Sequence, residues 1–278
     1  MKSVLLKILL ILSFLPFSQV WGADFIPAIT NYTVKDYEGG HQNWACAQGD
    51  DGVMYFGNNN GLLVYDGFSW ELHRVPGGYI VRSVFVDGDR VYIGSFEFGY
   101  FIRKTDGQMQ YHSLSAGIKD KISSNDEIWH IIRLGEKIYF QSFTGWYSYD
   151  GKAVSYMDRK SGFRPLYFYT CHDKVYAQMI NEGFYEFDGQ RFHLLLERTA
   201  VGNDNVVAIL PYGNSGMVLL TVDSGLFVYE HGTVSALRTD IDAQLRWAKG
   251  NRAVMVGDSI LAIGTILDGI YGVDKKGH

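Results

Sequence analysis

The sequence predicts an all-β protein, and three observations support this fold class. A glycine-led strand followed by a tight turn recurs along the chain, most clearly as GLLVYDG (Gly61 to Gly67), GWYSYDG (Gly145 to Gly151) and GFYEFDG (Gly183 to Gly189). The chain is rich in aromatic residues, at 15%, and contains 32 glycines, a composition that suits short strands and tight turns. Each clear copy ends in Asp-Gly, which favours a sharp reversal of the chain.

The spacing of the leading glycines indicates a β-propeller. Weaker copies begin at Gly99, Gly225 and Gly269, so that successive leading glycines lie 38, 46, 38, 42 and 44 residues apart. A period of about 40 to 50 residues is typical of propeller blades, each of which is a four-stranded sheet. We therefore predict four-stranded antiparallel blades, five full and one partial, as part of a larger ring.

The first and last repeats set the limits of this prediction. The first repeat divides into four runs of strand length, at residues 44–48, 53–57, 62–65 and 68–73, separated by turn residues. The sixth divides into only three, at 246–249, 259–264 and 270–273. We therefore expect an N-terminal fragment of a longer protein, with an open ring and further blades beyond residue 278.

Three regions are predicted along the chain. Residues 1–23 fit a secretory signal peptide, because Lys2 and Lys7 precede an apolar stretch that ends in small residues near Gly22 and Ala23. Residues 24–42 are a candidate for a strand that closes the ring. Residues 43–278 hold the propeller repeats, truncated in the sixth blade. This organisation predicts a mature chain outside the cytoplasm.

Composition argues against several functional classes. A formal net charge of −5 provides no basic surface for nucleic acid. The two cysteines, Cys46 and Cys171, fall in different repeats, and we expect both to be unpaired and buried. The eight histidines are scattered without metal-binding spacing, so that no metal, other cofactor or catalytic group is predicted, and this segment is not expected to be an enzyme.

One end of the predicted blades carries the candidate ligand-binding residues. In a four-stranded meander, the loop between the second and third strands lies at the same end as the link to the next blade. Here those loops combine aromatic rings with Asn, Glu and Arg, as a sugar or similar polar ligand requires. The candidate ligand-binding residues are Asn43, Trp44, Asn58, Asn59, Arg82, Phe96, Glu97, Trp129, His130, Phe143, Arg164, Asn181 and Glu182.

Packing is an alternative explanation for several of these aromatic and polar residues. Propellers bury many aromatic rings, and we assign Trp70, Trp146 and Trp247 to packing. Trp44 and Trp129 open innermost strands, where a pocket and a core role are nearly equally favoured. The asparagines at 58–60 are more typical of turns than of ligand contacts.

The first repeats also resemble a known family. The segment from Gln42 to Trp70, followed by GSFEFGYF from Gly94, is similar to the N-terminal sensor region of bacterial membrane-bound regulators with two-component-regulator propeller repeats. It most resembles members that carry a triple-tyrosine domain. The repeat consensus is matched well by the run from Asp51 to Asn58, and loosely by the fifth and sixth repeats, where Leu219 and Leu261 replace an aromatic residue.

The resemblance implies a periplasmic propeller that senses an extracellular cue, often a glycan breakdown product. A triple-tyrosine β-sandwich, one membrane helix and a cytoplasmic histidine kinase or LuxR-type helix-turn-helix output would follow, and the opening sequence favours the LuxR type. The expected partners are an oligosaccharide or other small extracellular ligand and, in the full-length protein, a second copy. Membrane attachment would come only through the C-terminal parts, and this segment would not contact nucleic acid.

Two other functions are compatible with the residues. A secreted carbohydrate-active hydrolase or lyase could use Glu97 and Glu182 if their carboxyl groups lie about 5 to 10 Å apart. A protein-interaction platform would use the same loops without binding glycans.

Overall fold

The computed structural model describes residues 30–78, 80–122, 126–157 and 165–278. Its strands form six antiparallel sheets, and within each sheet the neighbouring strands follow one another along the chain. The innermost strands of consecutive sheets contact one another in series, from the first sheet to the sixth. The chain is therefore a six-bladed β-propeller, which confirms the predicted fold class, and its sixth blade has three strands.

The strands are numbered in chain order. Blades 1 and 2 comprise β1 (Asn43–Gln48), β2 (Met54–Asn58), β3 (Gly61–Tyr65), β4 (Trp70–His73), β5 (Ser83–Asp87), β6 (Arg90–Gly94), β7 (Phe98–Arg103) and β8 (Met109–Ser113). Blades 3 and 4 comprise β9 (His130–Leu134), β10 (Lys137–Gln141), β11 (Trp146–Tyr149), β12 (Val154–Met157), β13 (Pro165–Cys171), β14 (Lys174–Met179), β15 (Gly183–Phe187) and β16 (Phe192–Glu197). Blades 5 and 6 comprise β17 (Val206–Tyr212), β18 (Gly216–Thr221), β19 (Leu226–Glu230), β20 (Thr233–Leu237), β21 (Gly250–Val256), β22 (Ile260–Thr265) and β23 (Ile270–Asp274).

Helical structure is sparse. The helices are α1 (Val34–Tyr37), α2 (Asp242–Ala248) and two 3-10 helices, Ala116–Lys121 and Arg198–Val201. In the described ranges, we find no helix with the length and apolar character needed to span a bilayer. Residues 34–37, part of the candidate closing strand, form a helical turn that contacts β4. The predicted signal peptide, residues 1–23, lies outside the described residues. Residues 24–29 of the candidate closing strand also lie outside them.

Close approach of the backbone explains three of the six repeated glycines, whereas Gly225 and Gly269 have open space around an added Cβ and adopt φ of 90° and 69°. At Gly183, an added Cβ would lie 2.5 Å from the carbonyl oxygen of Leu196 on the neighbouring strand. Gly61 and Gly99 face the carbonyl groups of His73 and His112 in the same way. A side chain at these positions would push the third and fourth strands of the blade apart, so only glycine allows the observed pairing.

The residue at the end of the second strand fixes the following turn. The hydroxyl of Ser142 donates to the carbonyl of Gly145 at 2.9 Å, and Thr221 donates to Gly225 at 2.8 Å. Thr265 repeats this contact in the sixth blade. This contact stabilises the turn between the second and third strands in blades 3, 5 and 6, at the end of the blades that carries the candidate ligand-binding loops, which we name the loop end.

Five apolar clusters join the six blades. Each cluster combines one face of a sheet with the facing side of the next, as Leu62 of blade 1 packs with Ile93 of blade 2. The later interfaces are built in the same way around Phe140, Phe168, Leu219 and Leu220. Among the described residues, no corresponding cluster joins blade 6 to blade 1, so the buried interfaces form an open series.

The outer face of blade 6 is apolar and exposed. Side chains alternate across a strand, and Leu261 and Ile263 face blade 5 with at most 1% exposure. On the opposite face, Val254, Ile260 and Ile270 are 60%, 44% and 79% exposed. The equivalent faces of blades 1 to 5 are covered by the next blade, so this face has the same apolar character without a covering sheet in the described structure.

The start of the sixth blade differs from the prediction. Residues 246–249 were expected to form its first strand, but α2 ends at Ala248 and the strand begins at Gly250. Leu245 and Ala248, three residues apart, are buried on one side of α2, while Asp242 accepts hydrogen bonds from the backbone and hydroxyl of Thr239. This local pattern stabilises a helical turn.

Two packing predictions were partly wrong. Trp146 is buried and Trp70 stacks on Tyr65, as expected, but Trp247 of α2 is 64% exposed. Both cysteines are free, as predicted; however, only Cys171 is buried, and Cys46 is exposed. Cys46 lies on β1, whose burial alternates along the strand, and it falls on the less buried side.

Replacing Gly183 with alanine should destabilise the fold. The new Cβ would meet the Leu196 carbonyl at 2.5 Å, and we expect a loss of about 1–3 kcal/mol in the free energy of unfolding. Gly117 is the matched control, because an added Cβ there meets nothing within 4 Å, and its change should stay within about 0.5 kcal/mol. Urea unfolding measures both variants, and equal stabilities would contradict the close-approach explanation.

A pair of isoleucines tests the two faces of blade 6. Ile263→Ala should cost about 2–5 kcal/mol, because it leaves a cavity against blade 5. Ile270→Ala, at an exposed position of the same sheet, should change stability by less than about 0.5 kcal/mol. Thermal or urea unfolding of the two variants gives the comparison; a similar loss for both would mean that the outer face is covered in solution.

Candidate functional site

Two asparagines of the predicted site hold the fold together. Asn58 is fully buried, and its amide nitrogen donates to the carbonyl of Gly40 at 2.8 Å and to the side chain of Asn43 at 2.7 Å. Its amide oxygen accepts from the backbone of Gly40 at 2.6 Å and of Asn60 at 3.0 Å. These bonds use the polar atoms of Asn58, which therefore holds residues 40–43 against blade 1 and is not available to a ligand.

An arginine lies between two tryptophans at the starts of the first three innermost strands. The guanidinium carbon of Arg82 is 3.8 Å from the ring centroid of Trp44 and 4.9 Å from that of Trp129. The two indoles meet edge to face, with centroids 6.0 Å apart. We name Trp44, Arg82 and Trp129 the tryptophan–arginine cluster; its cation–π contacts are each worth about 0.5–2 kcal/mol.

Glu127 neutralises this cluster and was not predicted from the sequence. The Nε of Arg82 donates to both carboxylate oxygens of Glu127 at 2.9 Å, and the two side chains are only 13% and 11% exposed. The Nη1 of Arg82 is buried and has no hydrogen-bond partner among the described residues. Glu127 lies two residues before Trp129, and that proximity was the only sequence signal for its role.

Further predicted residues extend the cluster. The indole nitrogen of Trp44 donates to the side-chain oxygen of Asn59 at 2.7 Å, and the ring of Phe143 lies 5.4 Å from that of Trp129. Asp126 holds the Phe143 loop by accepting hydrogen bonds from its backbone and from Thr144. The structure therefore brings together aromatic and amide groups from blades 1 and 3 and the guanidinium of blade 2 at the loop end.

A second group lies beside the first. His130 follows Trp129 directly, and its ring is 5.1 Å from that of Tyr167 on β13. The guanidinium carbon of Arg252, on β21, lies 4.4 Å from the ring centroid of Tyr167. The sequence singled out His130 alone, because nothing local indicates that strands of the fourth and sixth blades converge on it. We name His130, Tyr167 and Arg252 the Arg252 group.

Burial controls the charge of this second group. Desolvation, with the positive charge of Arg252 as a smaller cause, lowers the pKa of His130 from 6.5 to about 3, so the imidazole is neutral at neutral pH. Burial also raises the pKa of the neighbouring Tyr169, whose hydroxyl donates to the carbonyl of Val206 at 2.8 Å. Arg252 thus remains the charged member of a largely neutral, aromatic environment.

The remaining predicted residues lie apart from these groups. Glu97 pairs with Lys119 at 2.8 Å in blade 2, and Phe96 beside it is half-buried. Asn181 occupies a turn with φ of 61°, and exposed Glu182 accepts a bond from Tyr185 in blade 4. Arg164 lies outside the described residues. The two glutamates of the catalytic alternative thus have different local partners on separate blades.

The opposite end of the blades contains a cavity of about 830 Å³ that was not expected. Its walls are mainly apolar, and its lining includes Phe85, Ile131, Leu134, His172, Lys174 and Pro211. The cationic groups at its edge already have partners, because Arg133 bonds Asp87 at 2.6 Å and Lys174 bonds Glu186 at 2.9 Å. No residue predicted as ligand-binding lines this cavity.

Neither a protein-family model nor a curated protein matches the sequence. Among solved structures, the chain is similar to the extracellular domains of two proteins assigned to hybrid two-component systems of Bacteroides thetaiotaomicron. One aligns at a TM-score of 0.64 and 17% identity, over 84% of this chain and 32% of that one. The other aligns at 0.65 and 13%, over 90% of this chain and 34% of that one.

An enzyme has the same architecture. Virginiamycin B lyase from Staphylococcus aureus aligns at a TM-score of 0.61 and 10% identity, over 87% of this chain and 86% of that one. The chain spans about a third of the two extracellular domains. Identities this low show a common propeller fold, and residues of the site, rather than the fold, must distinguish a sensor from an enzyme.

The neutral state of His130 predicts a pH dependence of stability. Its pKa is about 3 in the folded protein and near 6.5 when unfolded, so the unfolded chain binds more protons between these values. Stability is therefore lost as pH falls from 6.5 towards 3. Urea unfolding of His130→Phe at pH 7, 6, 5 and 4 should show a shallower loss than the parent. His41→Gln, at an exposed position, is the control, and parallel curves for parent and His130→Phe would contradict the assignment.

Proposed function

We propose that this chain is the ligand-sensing propeller region of an exported regulator, and that a glycan-derived cue binds at the loop end of its blades. The observation that carries the proposal is the tryptophan–arginine cluster, in which two indoles and a guanidinium from three blades meet near the axis. Sugar rings bind to flat apolar faces flanked by hydrogen-bonding groups, and this cluster supplies both.

The surrounding residues support a polar ligand. Asn59 and Phe143 enlarge the cluster, because Asn59 accepts a hydrogen bond from Trp44 and Phe143 lies against Trp129. All five side chains are partly buried, so their remaining surface is accessible. Since Glu127 neutralises Arg82, the cluster itself carries little net charge, which suits uncharged hydroxyl groups. Asn58 and Asp126 hold the loops without occupying the site, so the arrangement is formed before a ligand binds.

The cellular setting belongs to the same proposal. The apparent leader sequence, the resemblance to propeller-repeat regulators and the likeness to extracellular domains of two-component systems all favour a periplasmic location. In the longer protein, a triple-tyrosine domain, a membrane helix and a kinase or DNA-binding output would follow, with two copies paired. Binding would act by favouring one of two arrangements of that pair, which requires different ligand affinities in the two.

Calorimetry of the chain with a panel of plant and host oligosaccharides tests the proposal. At least one saccharide should bind, and Trp129→Ala should weaken its binding by about 30-fold or more, because truncating a central aromatic anchor typically costs about 2 kcal/mol. Trp247→Ala is the matched control, since Trp247 is exposed on α2, and it should leave affinity unchanged.

Folding and catalysis are checked in the same experiment. Trp129→Phe keeps a ring and should retain part of the affinity, which separates a lost contact from a misfolded variant. Absence of heat with every saccharide, or full affinity in Trp129→Ala, would overturn the proposal. Release of saccharide fragments, lost in Glu97→Gln or Glu182→Gln, would instead favour a carbohydrate-active enzyme.

A further inference from the structure

Arg252 has no carboxylate partner among the described residues, a property that it shares with Arg90 and Arg103. Arg82 pairs with Glu127, Arg133 pairs with Asp87, and Arg238 and Arg246 both approach Asp242. Arg252 forms no ion pair within the described part of the chain; its Nη1 donates only to the backbone carbonyl of Asn251, at 3.0 Å. Its positive charge is therefore not neutralised by the protein.

The position of Arg252 leaves most of its hydrogen-bond donors available. The guanidinium lies over the ring of Tyr167, with its carbon 4.4 Å from the ring centroid, and such stacking uses the face of the group rather than its edges. A guanidinium has five N–H donors in a planar fork that matches the two oxygens of a carboxylate. Only one bond of this fork is accounted for.

The neighbours of Arg252 favour an anionic group over a second cation. His130 is neutral because burial and the nearby guanidinium disfavour its protonation, and Tyr169 is neutral with its hydroxyl bonded to Val206. Arg252 is exposed, so that a ligand can reach its guanidinium, and these neutral neighbours supply no competing anion.

The two groups of the site are adjacent in the chain. Trp129 belongs to the tryptophan–arginine cluster, and His130, the next residue, belongs to the Arg252 group. Their Cα atoms are therefore about 3.8 Å apart, less than the length of one sugar ring. Successive side chains of a strand point to opposite faces, so a ligand that contacts both groups must be an oligosaccharide that extends from one to the other.

We infer that the Arg252 group binds a carboxylate of the ligand, so that the cue is an acidic saccharide containing a uronic acid. The inference rests on the proposed glycan-sensing function and specifies its ligand class. The sugar ring stacks on the tryptophan–arginine cluster, the carboxylate accepts paired hydrogen bonds from the free edge of Arg252, and Tyr167 keeps the guanidinium in place.

Matched saccharides that differ only at the carboxylate test this inference. Oligogalacturonides and glucuronate-containing oligosaccharides are compared with their methyl esters by calorimetry on the full chain, and sulfated saccharides form a third set. The acid should bind at least about 10-fold more tightly than its ester, as expected for charge-assisted hydrogen bonds, and the difference should shrink at high salt.

Three variants assign the effect to Arg252. Arg252→Met should reduce affinity for the acid by about 10- to 100-fold and leave affinity for the ester nearly unchanged. Arg252→Lys keeps the charge without the planar fork and should lose less. Arg191→Met is the control, because Arg191 is exposed at the turn between β15 and β16, at the opposite end of the blade. Circular dichroism and urea unfolding confirm that each variant folds.

The possible results separate this inference from the proposed function. Binding of neutral saccharides or esters with equal affinity, or of acids unaffected by Arg252→Met, would overturn the inference and leave the glycan-sensing proposal standing. A preference for sulfated over carboxylated saccharides would overturn the uronic acid assignment. If no saccharide binds, both proposals fail together.

Discussion

The packing of each sheet against the next is the constraint on which the rest of the structure depends. A single four-stranded sheet has two faces and too little area to bury either one by itself. In this chain each interface is filled by side chains from two blades, such as Phe140 and Tyr92 or Leu219 and Tyr176. The blades must therefore stand side by side around one axis, and this arrangement brings loops from distant parts of the sequence to the same end.

The sequence was informative where the cause of a structure is local. The leading glycines and the Asp-Gly turns act within a few residues, so the third strands β3 and β15 begin at the glycines that the repeat identified. The start of blade 6 was mispredicted because the run 246–249 leaves out Asp242 and Leu245, whose contacts stabilise the helix. Cys46 and Trp247 were misjudged because a strand or helix alone does not show which side another blade covers.

The site was predictable only in part, for a related reason. Trp44, Arg82 and Trp129 were selected one by one from loop positions, and ring geometry brought them together. Glu127, Tyr167 and Arg252 were missed because their role depends on pairings across 45 residues or more, or between blades that are not adjacent. Conversely, Asn58 is a residue type that often contacts ligands, yet its amide group bonds to residues 40–43. The sequence alone could not show this structural role, because the bonds join residues 15 to 18 positions apart.

The two groups of the site also connect ligand binding with the open side of the propeller. The tryptophan–arginine cluster draws on blades 1 to 3, and the Arg252 group draws on blades 3, 4 and 6. A ligand held by both would link blades that have no shared apolar interface and would restrict their relative movement. Arg252 and Val254 lie two residues apart on β21, and alternation places them on one face of the sheet, the face that is exposed. A partner that packs against this face would contact the strand that carries Arg252. If that contact changed the affinity for an anionic ligand, the ligand would change the affinity for the partner by the same factor.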